Sequence, residues 1–319
     1  MIPRRVGARL LHGAIVTKKR EKKMAGVPMD QRDGWIWMDG QLVPWKDAKV
    51  HVLTHGLHYA SSVFEGQRAY GGEIFKLHQH SERLLASGRM LDMPIPYTAD
   101  QIDEAARQTL AANKLTDAYM RPVAWRGSEE ISVPARNNKV HVAIATWVWP
   151  SYFTMEERLK GIRLMWSAWK RPSPETIPSA AKAAGLYMIC TLSKHAAMDA
   201  GYADALMLDY RGLVAEATGA NVFFIKGKEI HTPLPDCFLN GITRLTVIDL
   251  ARERGYKVVE RHIKPEELAN FDECFITGTA AEITPVSEIG EFRFTPGIAC
   301  QTLIDAYSEA VQPKRQAAE

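Results

Sequence analysis

One lysine in this chain lies among small side chains, in the stretch 177-IPSAAKAAGLY-187. Lys182 follows Pro178, is flanked by alanines and precedes Gly185. A lysine on the solvated first turn of an alanine-rich helix would explain this pattern without any chemistry. Small neighbours also leave room for a bulky group beside the amine, and a lysine that loses its proton readily can act as a nucleophile.

A glutamate in 213-LVAEATGANVFF-224 is the second candidate group. Glu216 is flanked by alanines, and an isolated glutamate in such a stretch is most simply a surface charge. Near a nucleophilic lysine and a phosphate site, the same carboxylate could hold the protonated nitrogen of a pyridine ring. Protonation makes that ring an electron sink, which is the chemistry of pyridoxal phosphate.

Two turns that combine glycine with threonine could supply the phosphate site: 239-LNGITR-244 and 276-ITGTAAEITPV-286. The first leads into a predicted helix, and the first N–H groups of a helix have no partner inside it and suit an anion. An ordinary loop and helix cap would explain either turn alone. Neither turn contains GxGxxG or ends in GK[ST], so a dinucleotide or a nucleoside triphosphate is not predicted.

Composition limits the classes of protein that this chain can belong to. With 319 residues, of which 46% are hydrophobic, it can bury a substantial core, and its length suggests two domains. The four cysteines have neither CxxC spacing nor nearby ligand pairs, so we predict reduced thiols, no metal site and a cytoplasmic location. No apolar run approaches the about 18 residues of a membrane-spanning helix, so no membrane partner is expected.

Positive charge is concentrated at the N-terminus. Residues 1–23 carry eight Lys/Arg and one acidic residue, Glu21, whereas the whole chain has a formal charge of only +3, which leaves about −4 for the rest. A basic arm can be an organelle address or bind nucleic acid, and Met24 and Met29 could each begin a shorter chain. We interpret residues 1–33 as a basic leader that is disordered and has no catalytic role, and we expect no nucleic-acid partner.

The N-terminal half reads as strands followed by helices. Residues 34–50 have the pattern of a hairpin with a tight turn at Asp39-Gly40. A second hairpin is predicted for residues 63–77, with its break at Gly71-Gly72. Apolar spacing then predicts one helix over residues 79–91 and another around residues 102–110. The apolar run 140–149 predicts a buried strand.

The C-terminal half alternates strands and helices again after a polar connection. Helices are predicted from Ala184 to Ala200 and from Thr243 to Gly255. We therefore predict an α/β fold with two domains, a smaller one over residues 34–149 and a larger one over 161–319, joined by an interdomain loop at 150–160.

Ordered motifs across the chain resemble those of the class IV (fold-type IV) pyridoxal-phosphate-dependent aminotransferases, and look most like the branched-chain amino acid aminotransferases. The resemblance runs from about Gly34 to about Ala310. It implies the α/β (α+β) two-domain fold of the D-amino acid aminotransferase-like enzymes. The motifs are 45-WKDAKVHVLTHGLHYASSVFEGQRAY-70, 75-FKLHQHSERLLASGRM-90, 119-YMRP-122, 177-IPSAAKAAGLY-187, 215-AEATGANVFF-224, 239-LNGITR-244 and 277-TGTAAEITPV-286.

The resemblance implies pyridoxal 5′-phosphate as cofactor and assigns roles residue by residue. Lys182 becomes the catalytic Schiff-base lysine and general base, Tyr187 contacts the ring oxygen, and Glu216 pairs with the pyridine nitrogen. Arg83, which helical spacing alone would leave on a solvated face, clamps the phosphate bidentately. The loop residues that add phosphate donors are Ile242, Thr243 and Thr279.

The resemblance also implies a substrate pocket, in which the Ala280–Ala281 backbone faces the substrate carboxylate. Tyr59 and Val133 fall on positions that reach across from a neighbouring subunit, which implies a homodimer or a higher homo-oligomer. The other implied pocket residues are Phe64, Gly66, Tyr119, Arg121, Trp149 and Tyr152. The implied reaction is transamination of leucine, isoleucine and valine with 2-oxoglutarate, with ping-pong kinetics.

The chain departs from the pattern of this family at several positions. Ala220 replaces a glutamate, Asn240 replaces a proline before GITR, Gln67 replaces an aliphatic residue, and 128-SEEISVPARNN-138 lacks the usual glycines. These departures leave other activities open: a D-amino acid or (R)-amine transaminase of the same fold, or a pyridoxal-phosphate lyase of the aminodeoxychorismate lyase kind. A binding protein without cofactor would require that Lys182 and Glu216 serve no chemistry.

Overall fold

A computed structural model describes residues 27–148 and 160–313 of the chain. Most of the predicted leader and most of the predicted interdomain loop lie outside the described residues, together with Trp149, Tyr152 and residues 314–319. Within the described ranges, no helix is long and apolar enough to cross a membrane.

The first sheet has seven strands, all from the N-terminal half. They are β1 (Trp35–Met38), β2 (Gln41–Pro44), β3 (Ser62–Phe64), β4 (Gln67–Tyr70), β5 (Glu73–Ile74), β6 (Ala118–Arg126) and β7 (Val140–Trp147). The order is β2-β1-β7-β6-β4-β5, with β3 paired to β6. Asp39 and Gly40 both have positive φ, as the two-residue turn of a hairpin requires, so the predicted β1–β2 hairpin is confirmed.

The predicted hairpin over residues 63–77 has one more break than the sequence indicated. Strand β3 ends at Phe64 and β4 begins at Gln67, so Glu65 and Gly66 leave the ladder, although the Glu65 N–H still donates to the Pro122 carbonyl at 2.8 Å. Gly66 has no room for a side chain, because an added Cβ would collide with the Tyr119 hydroxyl. The prediction of one continuous strand up to Gly71-Gly72 was therefore wrong at Glu65-Gly66.

Three helices accompany the first sheet: α1 (His55–Tyr59), α2 (Leu77–Met90) and α3 (Ala99–Ala112). A capping box begins α3, since Thr98 N–H donates to Gln101 Oε1 and Gln101 N–H donates back to Thr98 Oγ1. Both α2 and α3 fall where apolar spacing predicted them. Their apolar faces and the sheet share one core, which includes Leu84, Ile102, Met120 and Ile144.

The second sheet has nine strands. They are β8 (Ile162–Trp166), β9 (Asp204–Leu208), β10 (Val214–Ala217), β11 (Asn221–Lys226), β12 (Glu229–Pro233), β13 (Lys257–Arg261), β14 (Glu273–Gly278), β15 (Glu282–Ile289) and β16 (Phe292–Arg293). The order is β10-β9-β8-β15-β14-β11-β12-β13, with β16 paired to β15. Since β10 also pairs with β11, the strands from β10 to β11 along this path close into a ring.

Successive side chains of β11 belong alternately to two buried clusters, one on each face of the second sheet. Val222 and Phe224 belong to one buried cluster, whereas Phe223 and Ile225 belong to another, which also contains residues of helices α5 (Ile242–Glu253) and α6 (Ile298–Ala310). Neighbouring side chains of a strand point to opposite faces, so both faces of β11 are buried. The predicted helix from Thr243 is confirmed as α5, and Gly255 takes a positive φ just beyond its end.

The segment around Lys182 joins the two halves. Ala181, Ala183 and Leu186 pack in the core of the first sheet, although they follow the predicted interdomain loop in the sequence. The helix predicted from Ala184 is divided into a 3₁₀ turn, Ala184–Tyr187, and α4 (Met188–Asp199). The boundary between the two domains stays a prediction, because residues 149–159 are not among those described.

Candidate active site

Two hydrogen bonds of its main chain fix the position of Lys182. Phe64 N–H, at the end of β3, donates to the Lys182 carbonyl at 3.1 Å, and the Lys182 N–H donates to Ser87 Oγ on α2 at 3.0 Å. An isolated bridge between Val63 and Ala183 continues the first contact. The lysine backbone is thus held against the first sheet, while its side chain extends into a cavity that residues of the second sheet also line.

The amine of Lys182 lies beside two aromatic rings. Its Nζ donates to the Tyr187 hydroxyl at 2.7 Å and lies 5.0 Å from the centroid of the Phe64 ring. The Phe64 and Tyr187 rings meet edge to face at 4.7 Å. The 3₁₀ turn at Ala184–Tyr187 brings the tyrosine back towards the lysine.

Glu216 lies on β10 directly opposite Asn221 on β11, at the point where the ring of strands closes. Its carboxylate is buried and accepts from the Asn221 amide at 3.2 Å. The Nε of Arg171 lies 3.3 Å from Glu216 Oε1. Both Glu216 and Arg171 line the same cavity as Lys182. The lysine and the glutamate singled out from the sequence therefore face one space.

Burial raises the pKa of Glu216 to about 7, and the positive charges of Arg171 and Lys182 offset only part of that effect. The carboxylate consequently exchanges a proton near neutral pH in the structure as it stands. A cationic partner inside the cavity would favour its ionised form. This is the behaviour expected of a group that pairs with a protonated ring nitrogen.

Arg83 lines the other part of this cavity and is anchored by a carboxylate behind it. Its Nε and Nη2 donate to the two oxygens of Glu65 at 2.7 and 2.8 Å. The ring of His80 contacts the same carboxylate at 2.7 Å. Burial alone would raise the pKa of Glu65, but the charge of Arg83 and the hydrogen bonds from Arg83 and His80 outweigh it and hold that pKa well below its usual range.

The start of α5 and the end of β14 complete this part of the cavity. Gly241, Ile242 and Thr243 line it where the helix begins, and no side chain caps the helix there. The cavity is also lined by Thr277 of β14, whose hydroxyl is buried and has no hydrogen-bond partner among the described residues. An arginine, a helix N-terminus and an orphaned hydroxyl form a donor set that fits a phosphate group.

A second cavity, of about 440 Å³, adjoins the first at Lys182 and Tyr187. Its size falls in the range of sites that bind small molecules. The predicted substrate residues that line it are Phe64, Gly66, Tyr119, Arg121, Ala280 and Ala281. Helix α4 contributes further residues that the sequence did not single out: Thr191, Lys194, His195 and Met198.

Arg121 lines this second cavity and lies against two aromatic rings. Its guanidinium carbon lies 4.7 Å from the Phe64 ring centroid and 5.3 Å from that of Tyr119, and its Nη2 donates to the Tyr119 hydroxyl at 3.0 Å. The aromatic rings hold the guanidinium in place without neutralising it. The cavity therefore offers aromatic walls and a guanidinium group side by side.

The remaining predicted residues lie elsewhere or are not described. Tyr59 and Val133 lie on the surface, exposed by 47% and 77%, and the Tyr59 hydroxyl donates to the Ile131 carbonyl at 3.3 Å. Neither lines the two cavities of this chain. Thr279 lines both cavities, but its hydroxyl donates to the Gly66 carbonyl at 3.0 Å. Trp149 and Tyr152 lie outside the described residues.

Sequence reasoning missed the residues that hold the predicted ones. Glu65 and His80 anchor Arg83, Arg171 and Asn221 contact Glu216, and Ser87 receives the Lys182 N–H. Only Glu65 carried a signal, because it stands in a strand that a glycine interrupts. Nothing in the spacing of the other residues distinguishes them from surface polar residues.

The three single-residue departures occupy different environments. Ala220 is buried and lines both cavities. Asn240 accepts from Arg244 Nη1 at 3.0 Å through its side chain, and its carbonyl lies 3.5 Å from Arg83 Nη1. Gln67 is completely buried, and neither polar atom of its side chain has a hydrogen-bond partner among the described residues.

Comparison with known proteins identifies relatives over nearly the whole chain. The branched-chain-amino-acid aminotransferase of Pseudomonas aeruginosa is 43% identical over 296 residues, which cover 91% of this chain and 96% of that protein. The branched-chain aminotransferase of the archaeon Thermoproteus uzoniensis, solved with norvaline, superposes with a TM-score of 0.84 at 37% identity and covers 88% of this chain and 95% of the other. The branched-chain amino acid aminotransferase of Thermobaculum terrenum, solved in its PLP form (holo-form), gives a TM-score of 0.81 at 32% identity, with 88% and 94% covered.

The family model for class IV amino-transferases matches residues 62–289, more than half of the chain. That range includes Arg83, Lys182 and Glu216. The α/β fold class and the family inferred from the motifs are both confirmed by these comparisons. This chain belongs to the class IV aminotransferase family.

Proposed function

We propose that this chain is a pyridoxal-phosphate-dependent aminotransferase that transfers the amino group of leucine, isoleucine or valine to 2-oxoglutarate. The observation that carries the proposal is the convergence of Lys182, Tyr187, Glu216 and Arg83 on one cavity. The names of the relatives support branched-chain substrates over a D-amino acid transaminase, an (R)-amine transaminase or a lyase. The PLP form of the Thermobaculum terrenum relative supports the cofactor.

The residues present fit the cofactor at both ends. Arg83 and the start of α5, at Ile242 and Thr243, hold the phosphate, and Thr279 lies beside them. Glu216 holds the proton on the ring nitrogen, since a buried carboxylate favours a cation next to it. When bound, the cofactor supplies an electron-withdrawing ring that stabilises negative charge at the Cα of the amino acid.

Lys182 moves the proton in this proposal. Its Nζ donates to the Tyr187 hydroxyl and lies over the Phe64 ring, so the amine is held at the junction of the two cavities. As a neutral amine it would take the proton from the Cα of the amino acid and pass it to the bound cofactor in the first half-reaction. In the second half-reaction it would move a proton in the reverse direction, to the Cα of the new amino acid. Tyr187 orients the amine by accepting its hydrogen bond.

Branched-chain donors and 2-oxoglutarate must use one pocket in turn. The Phe64 and Tyr119 rings give the apolar surface for a leucine side chain, and Arg121 between them pairs with the distal carboxylate of 2-oxoglutarate. Ala280 and Ala281 follow β14 and present their backbone to the substrate carboxylate. Trp149 and Tyr152 complete the pocket in this proposal.

Exposed apolar side chains support a homodimer. Val52, Leu57 and Val133 are exposed by 70%, 65% and 77%, and a groove lined in part by Val50 and Leu57 also contains Arg121. An exposed groove with apolar side chains is typical of protein–protein contacts. Tyr59 and Val133 then approach the pocket of the neighbouring subunit. Sedimentation of the wild type as a dimer, and a shift towards monomer in Leu57→Asp, tests this arrangement.

We also place the enzyme in the cytoplasm. The four cysteines are buried and unpaired, as is usual in a reducing compartment. Fractionation of cells that produce the full-length chain tests the location.

Reduction with borohydride tests the cofactor lysine. The purified protein is expected to be yellow, and borohydride should fix the cofactor to the peptide that contains Lys182. Lys182→Ala should lose turnover by several orders of magnitude, whereas Lys170→Ala, at an exposed position of the C-terminal half, should retain it. Recovery of the adduct on Lys160, Lys170 or Lys194 would refute the assignment, and a protein that stays colourless with added cofactor would refute the function.

A panel of amino donors tests the substrate. L-Leucine, L-isoleucine and L-valine should give the highest initial rates, and some overlap with methionine is expected because one methylene changes discrimination by only about 1–3 kcal/mol. Arg121→Ala should weaken 2-oxoglutarate far more than 4-methyl-2-oxopentanoate. Faster turnover of D-alanine or (R)-1-phenylethylamine, or equal losses for both oxo acids, would contradict the proposed specificity.

A further inference from the structure

The Thr277 hydroxyl differs from other buried threonine hydroxyls of the second sheet. Thr277 is 1% exposed, lines the Lys182 cavity, and has no hydrogen-bond partner for Oγ1 among the described residues. Thr232 and Thr284 are equally buried, but their hydroxyls donate to the Val222 and Ala281 carbonyls at 2.9 and 2.7 Å. A buried polar group without a partner costs about 1–3 kcal/mol, so this hydroxyl lowers the stability of the chain unless something binds it.

The position of Thr277 in the sheet indicates what that partner is. Glu216 on β10 pairs with Asn221 on β11, and Asn221 pairs with Thr277 on β14. Neighbouring strands are about 4.8 Å apart, so Thr277 lies about 10 Å from Glu216 across the sheet. Thr277 is therefore well separated from Glu216, the carboxylate that we assign to the ring nitrogen.

Glu216, Asn221 and Thr277 form a row across three neighbouring strands, and the contacts of Asn221 show which loop lies beside this row. Its amide donates to Glu216 and also to the Leu239 carbonyl at 3.0 Å, and its Oδ1 lies so close to Gly241 that a Cβ there would collide with it. The row thus runs from the carboxylate past the loop in which α5 begins. That loop and Arg83 form the phosphate end of the proposed site.

We propose that Thr277 is a further cofactor-positioning residue, whose hydroxyl donates a hydrogen bond to the phosphate of bound pyridoxal phosphate. The inference rests on the proposed function, because it needs that cofactor. Two of the guanidinium nitrogens of Arg83 are already bonded to Glu65, so additional donors are needed around a dianion. A donor that is desolvated beforehand loses little on binding, which makes it a strong contact for a phosphate.

The test compares stability without cofactor and affinity for cofactor in the same variants. Thr277→Val replaces the hydroxyl by a methyl group of similar size. In protein stripped of cofactor, it should raise Tm, because an unpaired buried hydroxyl is removed. Its Kd for pyridoxal phosphate should increase about tenfold, as for a lost hydrogen bond to a charged group. Its Kd for pyridoxal, which lacks the phosphate, should not change.

Thr232→Val is the matched control, because its hydroxyl is buried and bonded outside the cavity. It should lower Tm and leave both dissociation constants unchanged. Thr277→Ser should retain the affinity for pyridoxal phosphate and Thr277→Ala should lose it, which keeps the test valid if Thr277→Val does not fold.

Different results would distinguish a failure of the Thr277 inference from a failure of the proposed function. A raised Tm with unchanged affinity for pyridoxal phosphate would show that the hydroxyl contacts nothing in either state, and would overturn the inference while leaving the proposed function intact. Equal losses for pyridoxal phosphate and pyridoxal would place the contact on the ring and would also overturn it. Wild-type protein that binds neither compound would instead refute the proposed function.

Discussion

Two arginine–glutamate pairs border the Lys182 cavity, and they differ in which of their members line it. In one pair Arg83 lines the cavity and Glu65 lies behind it, with 2.7 Å between Nε and Oε1. In the other pair both Glu216 and Arg171 line the cavity, with 3.3 Å between Oε1 and Nε. All four side chains are largely buried, so burial alone does not distinguish the pairs.

The contacts made by each carboxylate account for the difference. Glu65 receives two bonds from Arg83 and one contact from His80, and its pKa is held well below its usual range. Glu216 receives one amide bond, and the Arg171 Nε beside it is not aligned for a hydrogen bond, so burial raises its pKa to about 7. One carboxylate is a permanent anchor for a cation, and the other can respond to a ligand.

The largest expected effect comes from breaking the Glu65 anchor. Glu65→Gln removes the charge that compensates buried Arg83, and the loss of one member of a buried pair costs about 3–5 kcal/mol. Urea unfolding of the cofactor-free protein at neutral pH measures this loss. The affinity for pyridoxal phosphate should fall as well, because Arg83 is no longer held in place.

Asp272→Asn is the control for this change. Asp272 pairs with Lys226 at 2.8 Å, but both side chains are 59% exposed, so little stability should be lost. Similar losses in the two variants would mean that Glu65 is no more important than a surface charge.

Glu216→Gln should affect the reaction more than the fold. The variant should retain the cofactor but slow both half-reactions by a factor of roughly a hundred or more, because a neutral group replaces the charged partner of the ring nitrogen. Single-turnover kinetics with L-leucine and with 2-oxoglutarate measure the two halves separately. Unchanged rates would show that the ring needs no charged partner.

The two glutamates should also give opposite dependences of stability on pH in cofactor-free protein. The folded-state pKa of Glu216, about 7, exceeds its ordinary value of 4.5, so the folded chain retains a proton that the unfolded chain loses. Its ionisation therefore lowers stability as pH rises from 4.5 to about 7. The advantage of Glu216→Gln over the wild type should grow across that window and stay constant above it.

Glu65 should behave in the reverse sense. Because its pKa is lowered in the folded state, it contributes stability that is present above about 4.5 and is lost as pH falls further. The disadvantage of Glu65→Gln should shrink in acid. Thermal unfolding of both variants between about pH 2 and 8 checks the two signs, and parallel curves would show that the environments are alike.

The comparison also explains how much of the site the sequence could reveal. Lys182 and Glu216 stand among small residues, and this pattern was visible in the sequence. Arg83 came only from the resemblance, since its helical spacing is that of a solvated residue. Arg171 and His80 gave no signal, because the folded chain alone brings them beside Glu216 and Glu65. The partners that set a pKa are long-range contacts, and spacing along the chain does not encode them.

The fold shows the same limit. The β1–β2 hairpin and helices α2, α3 and α5 follow from local turn residues and apolar spacing, and they were predicted. The break at Glu65-Gly66 was not, because the contacts of these two residues, with Arg83 and with the Tyr119 hydroxyl of β6, are tertiary. The 3₁₀ turn at Ala184–Tyr187 likewise lies where the segment packs on the first core.

The smallest expected effect concerns Gln67, which lies two residues beyond Glu65 and is also fully buried. Glu65 has charged partners, whereas neither polar atom of the Gln67 side chain has a partner among the described residues. Gln67→Leu removes that unsatisfied amide and should stabilise the protein by about 1 kcal/mol, or roughly 2–4 °C in Tm. Asn138→Leu is the control: the Asn138 Oδ1 also has no partner among the described residues, but its amide nitrogen donates to the Gly127 and Glu130 carbonyls at 2.9 Å, and losing these bonds should destabilise. A lower Tm for Gln67→Leu would mean that buried water satisfies the amide, and that Gln67, like Glu65, belongs to a bonded polar network behind the cavity.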